Sequence, residues 1–355
     1  MTDQKNNRKA ALLSRPVEHI DITSFDARPI IAAMDHMSFS SRDIARAADI
    51  YNSMLEDTDC TVILTLAGST SAGGCMDAYA EMVRLGMVDV IVSTGASIVD
   101  MDFFEGMGFK HYQAREVDAD EQLREMRIDR IYDTYIDEDD LQRVDHTIGD
   151  IADSLPARPM SSREFIREMG RWLTENGKKD NSLVKLAYEH DVPIFCPAFS
   201  DSSAGFGLVR HQVDRIKAKQ PYLSIDSVAD FRELTDIKIE AGATGLLMIG
   251  GGVPKNFAQD TVVCAEILGH DDVEMHKYAV QITVADVRDG ACSSSTLKEA
   301  CSWGKVSTVL EQMVYAEATT VMPLIASDAY HREAWKARKP KRWAKLFDDA
   351  KYGAK

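Results

Sequence analysis

Two groupings of residues in this chain have the types and spacing to do chemistry. The first is Ser302-Trp303-Gly304-Lys305, with Glu299 just before it and Asp289-Gly290 further upstream. A lysine beside a large aromatic wall and a glycine can be desolvated, which lowers its pKa and exposes a neutral amine able to form a Schiff base. Trp303 offers a face to a cationic substrate and Glu299 a carboxylate to its ammonium. The same spacing also describes a surface lysine near a core tryptophan. The second grouping is a set of small-residue turns, each following a short apolar run. They are Gly68-Ser69-Thr70-Ser71-Ala72-Gly73-Gly74, Ser93-Thr94-Gly95-Ala96-Ser97 with Asp100 beyond it, Asp201-Ser202-Ser203-Ala204-Gly205, and Gly250-Gly251-Gly252. Glycine permits positive φ and close approach of backbone, and the free N–H groups of a following helix attract phosphate. Taken singly each turn is ordinary in an α/β protein, and no G-x-G-x-x-G follows the first run. Their recurrence at successive strand ends points to a dinucleotide.

Other chemistries find little support. The nine histidines are scattered, with no H-E-x-x-H and no Cys/His cluster for a metal, and no G-x-S-x-G elbow marks a hydrolase. With 57 acidic against 41 basic side chains the formal net charge is −16, which argues against nucleic acid, whose binding needs clustered Lys and Arg. Such a surface attracts cationic small molecules, although it also serves simply to keep a protein soluble. No apolar run approaches the roughly 18 residues of a membrane span. The six cysteines form no C-x-x-C pair, and several sit in apolar runs where a reduced Cys acts as a small hydrophobe. A reducing cytoplasm is the expected compartment.

The elements that must position these residues follow from the pattern. Short β-rich runs alternate with amphipathic stretches along all 355 residues, as in a mostly parallel sheet covered by helices. Strands are expected at Cys60–Ala67, Val88–Thr94, Val192–Pro197, Gly245–Gly250 and Tyr278–Ala285. Ser161-x-x-Glu164 reads as a capping box before Phe165, Ile166, Met169, Trp172 and Leu173 at helical spacing, with Asn176-Gly177 as the stop. Leu141, Val144, Ile148, Ile151 and Leu155 make a second stripe, ended by Pro156 and Pro159. The acidic stretch from Asp118 to Asp140 reads as solvated helix and connection, and no decisive interface stripe stands out. The expected architecture is an N-terminal arm over 1–30, loose until it orders on a partner subunit, and one Rossmann-like α/β domain over 31–355 with a mostly parallel sheet flanked by helices.

The segments SWGK, VYAEATTVMPLIASDAY, GGGVPK, CPAFSDSSAG and MVDVIVSTGA, which occur in the same order and with nearly the same spacings from about Cys60 to Ala326, resemble the deoxyhypusine synthase family. The resemblance implies a Rossmann-like fold, a homotetramer with active sites at subunit interfaces, NAD as cofactor and polyamines as substrates. By similarity the NAD contacts fall on Gly68, Ser69, Thr70, Ser71 and Ala72, on Thr94, Gly95, Ala96 and Asp100, and on Asp201, Gly251, Ala285, Asp289 and Glu317. The imine-forming lysine falls on Lys305. Trp303, Glu299, Ser203 and Gly290 fall on substrate-lining positions. In the family, hydride leaves the carbon beside the secondary amine of spermidine for NAD, the lysine displaces diaminopropane and holds an aminobutyl group, and a second amine takes that group before the hydride returns. This requires the Lys305 amine to be shielded from water, uncharged for part of the time, and near the nicotinamide.

Three departures bear on the acceptor. Asn256 stands where the family has a histidine base, and an amide cannot take that role near neutral pH. Phe206 and Cys292 stand where it has acidic contacts to the polyamine. The pattern is similar to that of bacterial members acting on free polyamines, which implies an aminobutyl transferase of the homospermidine synthase type with putrescine as acceptor. The alternatives are a deoxyhypusine synthase whose acceptor is a lysine of a translation factor, and a non-catalytic sensor of NAD or polyamine.

Overall fold

The structure is a computed structural model, described for residues 2–115, 117–289 and 295–348; the expected substrate positions Gly290 and Cys292 lie outside the described residues. Six parallel strands, β1 (Thr61–Leu66), β2 (Val90–Ser93), β3 (Ile194–Phe195), β4 (Thr244–Ile249), β5 (His276–Thr283) and β6 (Val306–Tyr315), form one sheet in the order β3-β2-β1-β4-β5-β6. This is the doubly wound order in which the direction of winding reverses between β1 and β4. Strands β1, β2 and β4 are buried along their whole length, which is why they read as continuous apolar runs. Alternate residues serve the two layers. Val62, Leu64 and Leu66 face the helices Ser40–Glu56 and Ala318–Arg332, whereas Ile63 joins Leu246 and Met248 under Leu234, Ile237, Leu297 and Ala300. Each such fully buried aliphatic side chain contributes roughly 1.5–3 kcal/mol.

Five of the six strands lie within a residue or two of their expected positions. The sixth, β6, does not stand out in the sequence because Ser307, Thr308, Glu311 and Gln312 interrupt its apolar residues. It is an edge strand, half exposed, with an irregular register against β5 between His276 and Tyr278. The two expected helices are present as Glu138–Ser154 and Ser162–Asn176. Ser161 Oγ accepts from the Glu164 N–H at 3.2 Å, but the Glu164 carboxylate turns to Arg158 instead of completing the capping box.

Two expectations are corrected. The acidic stretch contains the helix Asp120–Glu125 followed by strands Ile128–Ile131 and Thr134–Asp137, which pair antiparallel and join Tyr112–Gln113 in a small second sheet. Buried Leu123, Met126, Ile128 and Tyr135 hold it together, and its charges find partners, as in Arg130–Asp120. The N-terminal arm orders on its own chain. Helix Thr2–Leu12 packs Leu12 and its neighbour Leu13 on this small sheet and pairs Lys9 with Asp137 and Asp139 at 2.7 and 2.9 Å. The chain then runs past Glu105, which accepts from His19 at 2.7 Å, and the Ile20 N–H donates to Gly74 O at 2.9 Å. The arm therefore ends beside the first glycine turn. Among the described residues no helix is long and apolar enough to cross a membrane, and no three His, Cys, Asp or Glu side chains are grouped to hold a metal ion.

At the amino edge of the sheet, buried Arg338 donates to Asp89 Oδ2 at 2.5 Å and to the carbonyls of Met54, Cys60 and Gly86, while Asp89 also accepts the Val62 N–H. Removing one member of such a pair strands a buried charge. We expect Arg338→Met to lower stability by about 3 kcal/mol, read from the urea midpoint at unchanged m value.

Candidate functional site

The carboxyl ends of the strands bring the glycine turns together. Gly68 follows β1 at φ +87°, and Ser97 Oγ from the turn after β2 donates to the Gly68 carbonyl at 2.9 Å. Thr94 Oγ1 and Ser97 Oγ lie 3.2 Å apart. A Cβ on Gly95 would stand 2.6 Å from Ser202 Oγ, so only glycine lets the β2 turn close on the Asp201–Gly205 turn. Gly205 is more constrained still, with a Cβ position 2.0 Å from Ser200 O. On the other side, Gly73 lies against Thr319, whose helix Ala318–Arg332 is capped by Glu317. The first turn is also wider than an α-helix, since the Cys75 N–H donates to Thr70 O, five residues back, before helix Met76–Arg84 begins. Such widened turns occur frequently at functional sites. Gly68–Ala72, Thr94–Ala96, Asp100, Asp201, Gly251, Ala285 and Glu317 thus belong to one edge, around the winding reversal between β1 and β4. Asp289 follows the same edge on an exposed segment after β5.

Two carboxylates at this edge already have work. Asp100 Oδ1 accepts the Ser203 N–H at 2.7 Å at the start of helix Ser203–Lys217. Burial raises its pKa to about 6 despite that bond. Ser203 itself is buried, whereas Phe206, one turn on, is 70% exposed. With Val209, Val213 and Ile216, Phe206 forms an exposed apolar stripe along the helix, a stripe that charged neighbours such as Arg210 and Asp214 obscure in the sequence. Glu317 accepts the Thr319 and Thr320 N–H groups at 3.0 and 3.1 Å; burial pushes its carboxyl up, and these bonds outweigh burial and leave its pKa lowered.

Lys305 lies elsewhere. It immediately precedes β6, and its carbonyl accepts the N–H of His276, the first residue of β5, at 2.9 Å. Its backbone is therefore at the amino edge, and the ten residues of β6 separate it from Glu317 by about 30 Å. Its Nζ is 2.5 Å from Asp260 Oδ1 and 5.4 Å from the centre of the Trp303 ring, and the side chain is only 14% exposed. The amine is shielded from solvent. It is held by a carboxylate, however, and directed at the far end of helix Gly252–Gln259, about 12 Å along that helix from the glycine turn. Trp303 itself is 67% exposed. Glu299 is exposed and completes a capping box with Thr296, accepting the Thr296 N–H at 2.6 Å, a bond that lowers its pKa.

The structure adds residues that the sequence reading passed over. Lys255, in the first turn of helix Gly252–Gln259 beside Asn256, is fully buried, donates to Ser295 O, and has its pKa lowered to about 8 by burial, with the charges of Glu299 and Lys305 also acting on it. The G-G-G-V-P-K segment gave no signal of this, since lysines are rarely fully buried. Beneath Lys305 a buried chain runs from Lys238 Nζ to Thr244 Oγ1 at 3.0 Å, then to His276 Nδ1 at 2.8 Å. Burial lowers Lys238 to about 8 and His276 well below its ordinary value. The neutral imidazole accepts at Nδ1 and donates from Nε2 to Ala258 O at 3.1 Å. Nothing in the spacing of these residues announces that chain, because it joins a helix, two strands and a helix end.

The strand order and the crevice place the protein in the Rossmann class of α/β folds. The sequence pattern of the deoxyhypusine synthases matches residues 29–329, and the chain belongs to that family of transferases. It is 71% identical over 340 residues to a deoxyhypusine synthase-like protein of Coxiella burnetii, with 96% of each chain covered. It is 70% identical over 343 residues to one of Caulobacter vibrioides, covering 96% of this chain and 93% of that protein. Against "Probable deoxyhypusine synthase 2" of Methanosarcina mazei the identity is 38%, over 94% of this chain and 93% of that protein. A crystal structure assigned as a deoxyhypusine synthase from Entamoeba histolytica shares the fold at a TM-score of 0.59 and 18% identity, over 89% of this chain and 97% of that one. The fold also matches part of a ternary complex of AgrE with ornithine and NAD+ at a TM-score of 0.51 and 11% identity, covering 84% of this chain and 34% of that one.

The Asp100 carboxyl titrates near 6 in the folded chain and near 4 when unfolded, so between these values the folded state binds more protons and its stability falls as pH rises. Asp100→Asn keeps the acceptor for Ser203 without this penalty. We expect its stability relative to wild type to grow by on the order of 1 kcal/mol between about pH 5 and about pH 7, measured by urea unfolding of both proteins at each pH.

Proposed function

We propose that the protein is an NAD-dependent aminobutyl transferase that uses spermidine as donor, carries the aminobutyl group as an imine on Lys305, and delivers it to a free polyamine such as putrescine. The observation that carries this reading is the environment of Lys305, a lysine 14% exposed between the Asp260 carboxylate and the Trp303 ring. A lysine withdrawn from bulk water beside an aromatic ring is suited to Schiff-base chemistry once its ion pair opens.

The carboxyl edge fits a dinucleotide. Gly68 and Gly252, at φ +87° and +64°, have open space where a Cβ would stand, so a pyrophosphate can approach their backbone, and they flank the winding reversal where such ligands bind. The turns Gly68–Ala72, Thr94–Ala96 and Gly251 would hold the phosphates, with Asp100, Asp201, Ala285, Asp289 and Glu317 lining the remainder. When bound, NAD supplies a hydride acceptor for the carbon beside a secondary amine. Lys305 supplies the amine that exchanges with the departing one, and Trp303 presents its ring to the cationic chain. Glu299, with one oxygen on the Thr296 N–H, keeps the other for a substrate ammonium. Ser203, Phe206 and Asn256, like Gly290 and Cys292, are assigned to the substrate side of the crevice from resemblance alone. The absence of a base at Asn256 and of a carboxylate at Phe206 favours a small free amine over a protein lysine as acceptor.

Lys305 and the glycine turns occupy opposite edges of one sheet. The reading therefore pairs the Lys305 face of one copy with the glycine edge of another, in a homo-oligomer whose sites lie at subunit interfaces. The exposed Trp303 and the Phe206 stripe are the apolar surfaces such an assembly covers.

Purified protein with NAD, spermidine and putrescine should yield homospermidine by mass spectrometry, and borohydride should trap the adduct on Lys305; label delivered to a translation-factor lysine and never to putrescine would replace this acceptor with the protein one. Ser69→Trp, which fills the crevice, and Lys305→Ala should each be inactive. Mixed after co-refolding they should recover about a quarter of wild-type activity, because half of the dimers are mixed and one site in each of these is intact. No recovery would place Lys305 and the nucleotide on the same chain.

A further inference from the structure

We propose that Asp260 is a charge gate on Lys305: in the amine-free protein it holds Nζ as an ammonium, and an incoming alkylammonium that takes over the carboxylate releases Nζ to act as a nucleophile. This rests on the reading of Lys305 as the imine-forming lysine. The site around Nζ has the two components of an ammonium site, a carboxylate oxygen at 2.5 Å and an indole ring at 5.4 Å, and the chain's own lysine fills it. The Asp260 side chain is 40% exposed although Lys305 is not, so a cation from solvent reaches the carboxylate before it meets the amine.

The pair is built in from both sides. Asp260 ends helix Gly252–Gln259, its N–H donating to Asn256 O at 2.8 Å. Buried His276 grips both partners, its ring holding Ala258 O two residues before Asp260 and its backbone N–H holding the carbonyl of Lys305. Thr244 and Lys238 fix the ring from the other side. His276 is thus a positioning residue for the gate.

Charge decides the direction of the switch. A carboxylate at hydrogen-bond distance from Nζ favours the ammonium over the neutral amine. Once a second cation sits on Asp260, Nζ faces that cation and the nearby Lys255 with its own carboxylate occupied, and the neutral form is favoured instead. The other charged groups near the site are Glu299, on helix Leu297–Ser302, and Lys255, whose mutual interaction is already felt. One proton passes from Nζ to water as the pair opens. The lone pair then attacks the imine carbon of the donor, the departing amine takes up a proton, and its C–N bond breaks as the Lys305 imine forms.

The gate is testable without the dinucleotide. Butanal with cyanoborohydride labels a neutral Lys305, water being lost as the imine forms, and peptide mass spectrometry reads the rate at that residue. Wild type should label slowly near pH 7 and about tenfold faster with propyltrimethylammonium, a cation that cannot itself react with the aldehyde, than with potassium at equal ionic strength. Asp260→Asn should label about tenfold faster than wild type without the cation and should ignore the cation. Equal rates in the two proteins, or no response of wild type to the cation, overturns the gate. The cation arm uses only wild type and stands even if the variant misfolds. Failure of the underlying reading looks different: borohydride with NAD and spermidine would then trap nothing on Lys305, while the butanal rates kept their pattern.

Discussion

A parallel strand keeps whatever precedes it and whatever follows it apart by its own length, and that separation governs this molecule. Lys305 and Glu317 are twelve residues apart in sequence, yet β6 stands between them and assigns one to each edge of the sheet. The glycine turns have no such freedom. Each follows a strand of the same direction, so all of them share the carboxyl edge. Helix Gly252–Gln259 runs part of the way back from the carboxyl edge, with a glycine turn at its start and the Lys305 partner Asp260 at its end.

The turns at the carboxyl edge are tied to one another by contacts that leave their backbones outward. Ser97 bonds the Gly68 carbonyl, Ser202 packs where Gly95 lacks a side chain, and Thr319 abuts Gly73. Asp100 and Glu317 satisfy helix N–H groups that would otherwise lie unpaired, an interaction of about 1 kcal/mol each. The same carboxylates are those that resemblance assigns to a cofactor.

Lys238 and Lys255 are buried in this strongly acidic chain, and they and the neutral His276 are each supplied with an oxygen acceptor or an orienting hydroxyl. Burial costs these lysines their ordinary basicity. Lys255 also lies close enough to Lys305 to feel its charge, in a field that draws cationic small molecules toward the protein.

Sequence by itself determined the parallel α/β architecture, because fully buried strands such as β1 and β4 must read as unbroken apolar runs and their endings as glycine turns. It also determined the family, through motifs spread along the chain and kept in order. It did not reveal β6, an edge strand whose apolar residues are interrupted by polar ones, nor the small sheet inside the acidic stretch, whose charges are paired across space. Only the tertiary structure decided that Lys305 belongs to Asp260, that Lys255 is buried, and that His276 braces the pair. Those contacts join elements distant along the chain, and local pattern carries no record of which side chains the folding of a sheet will bring face to face.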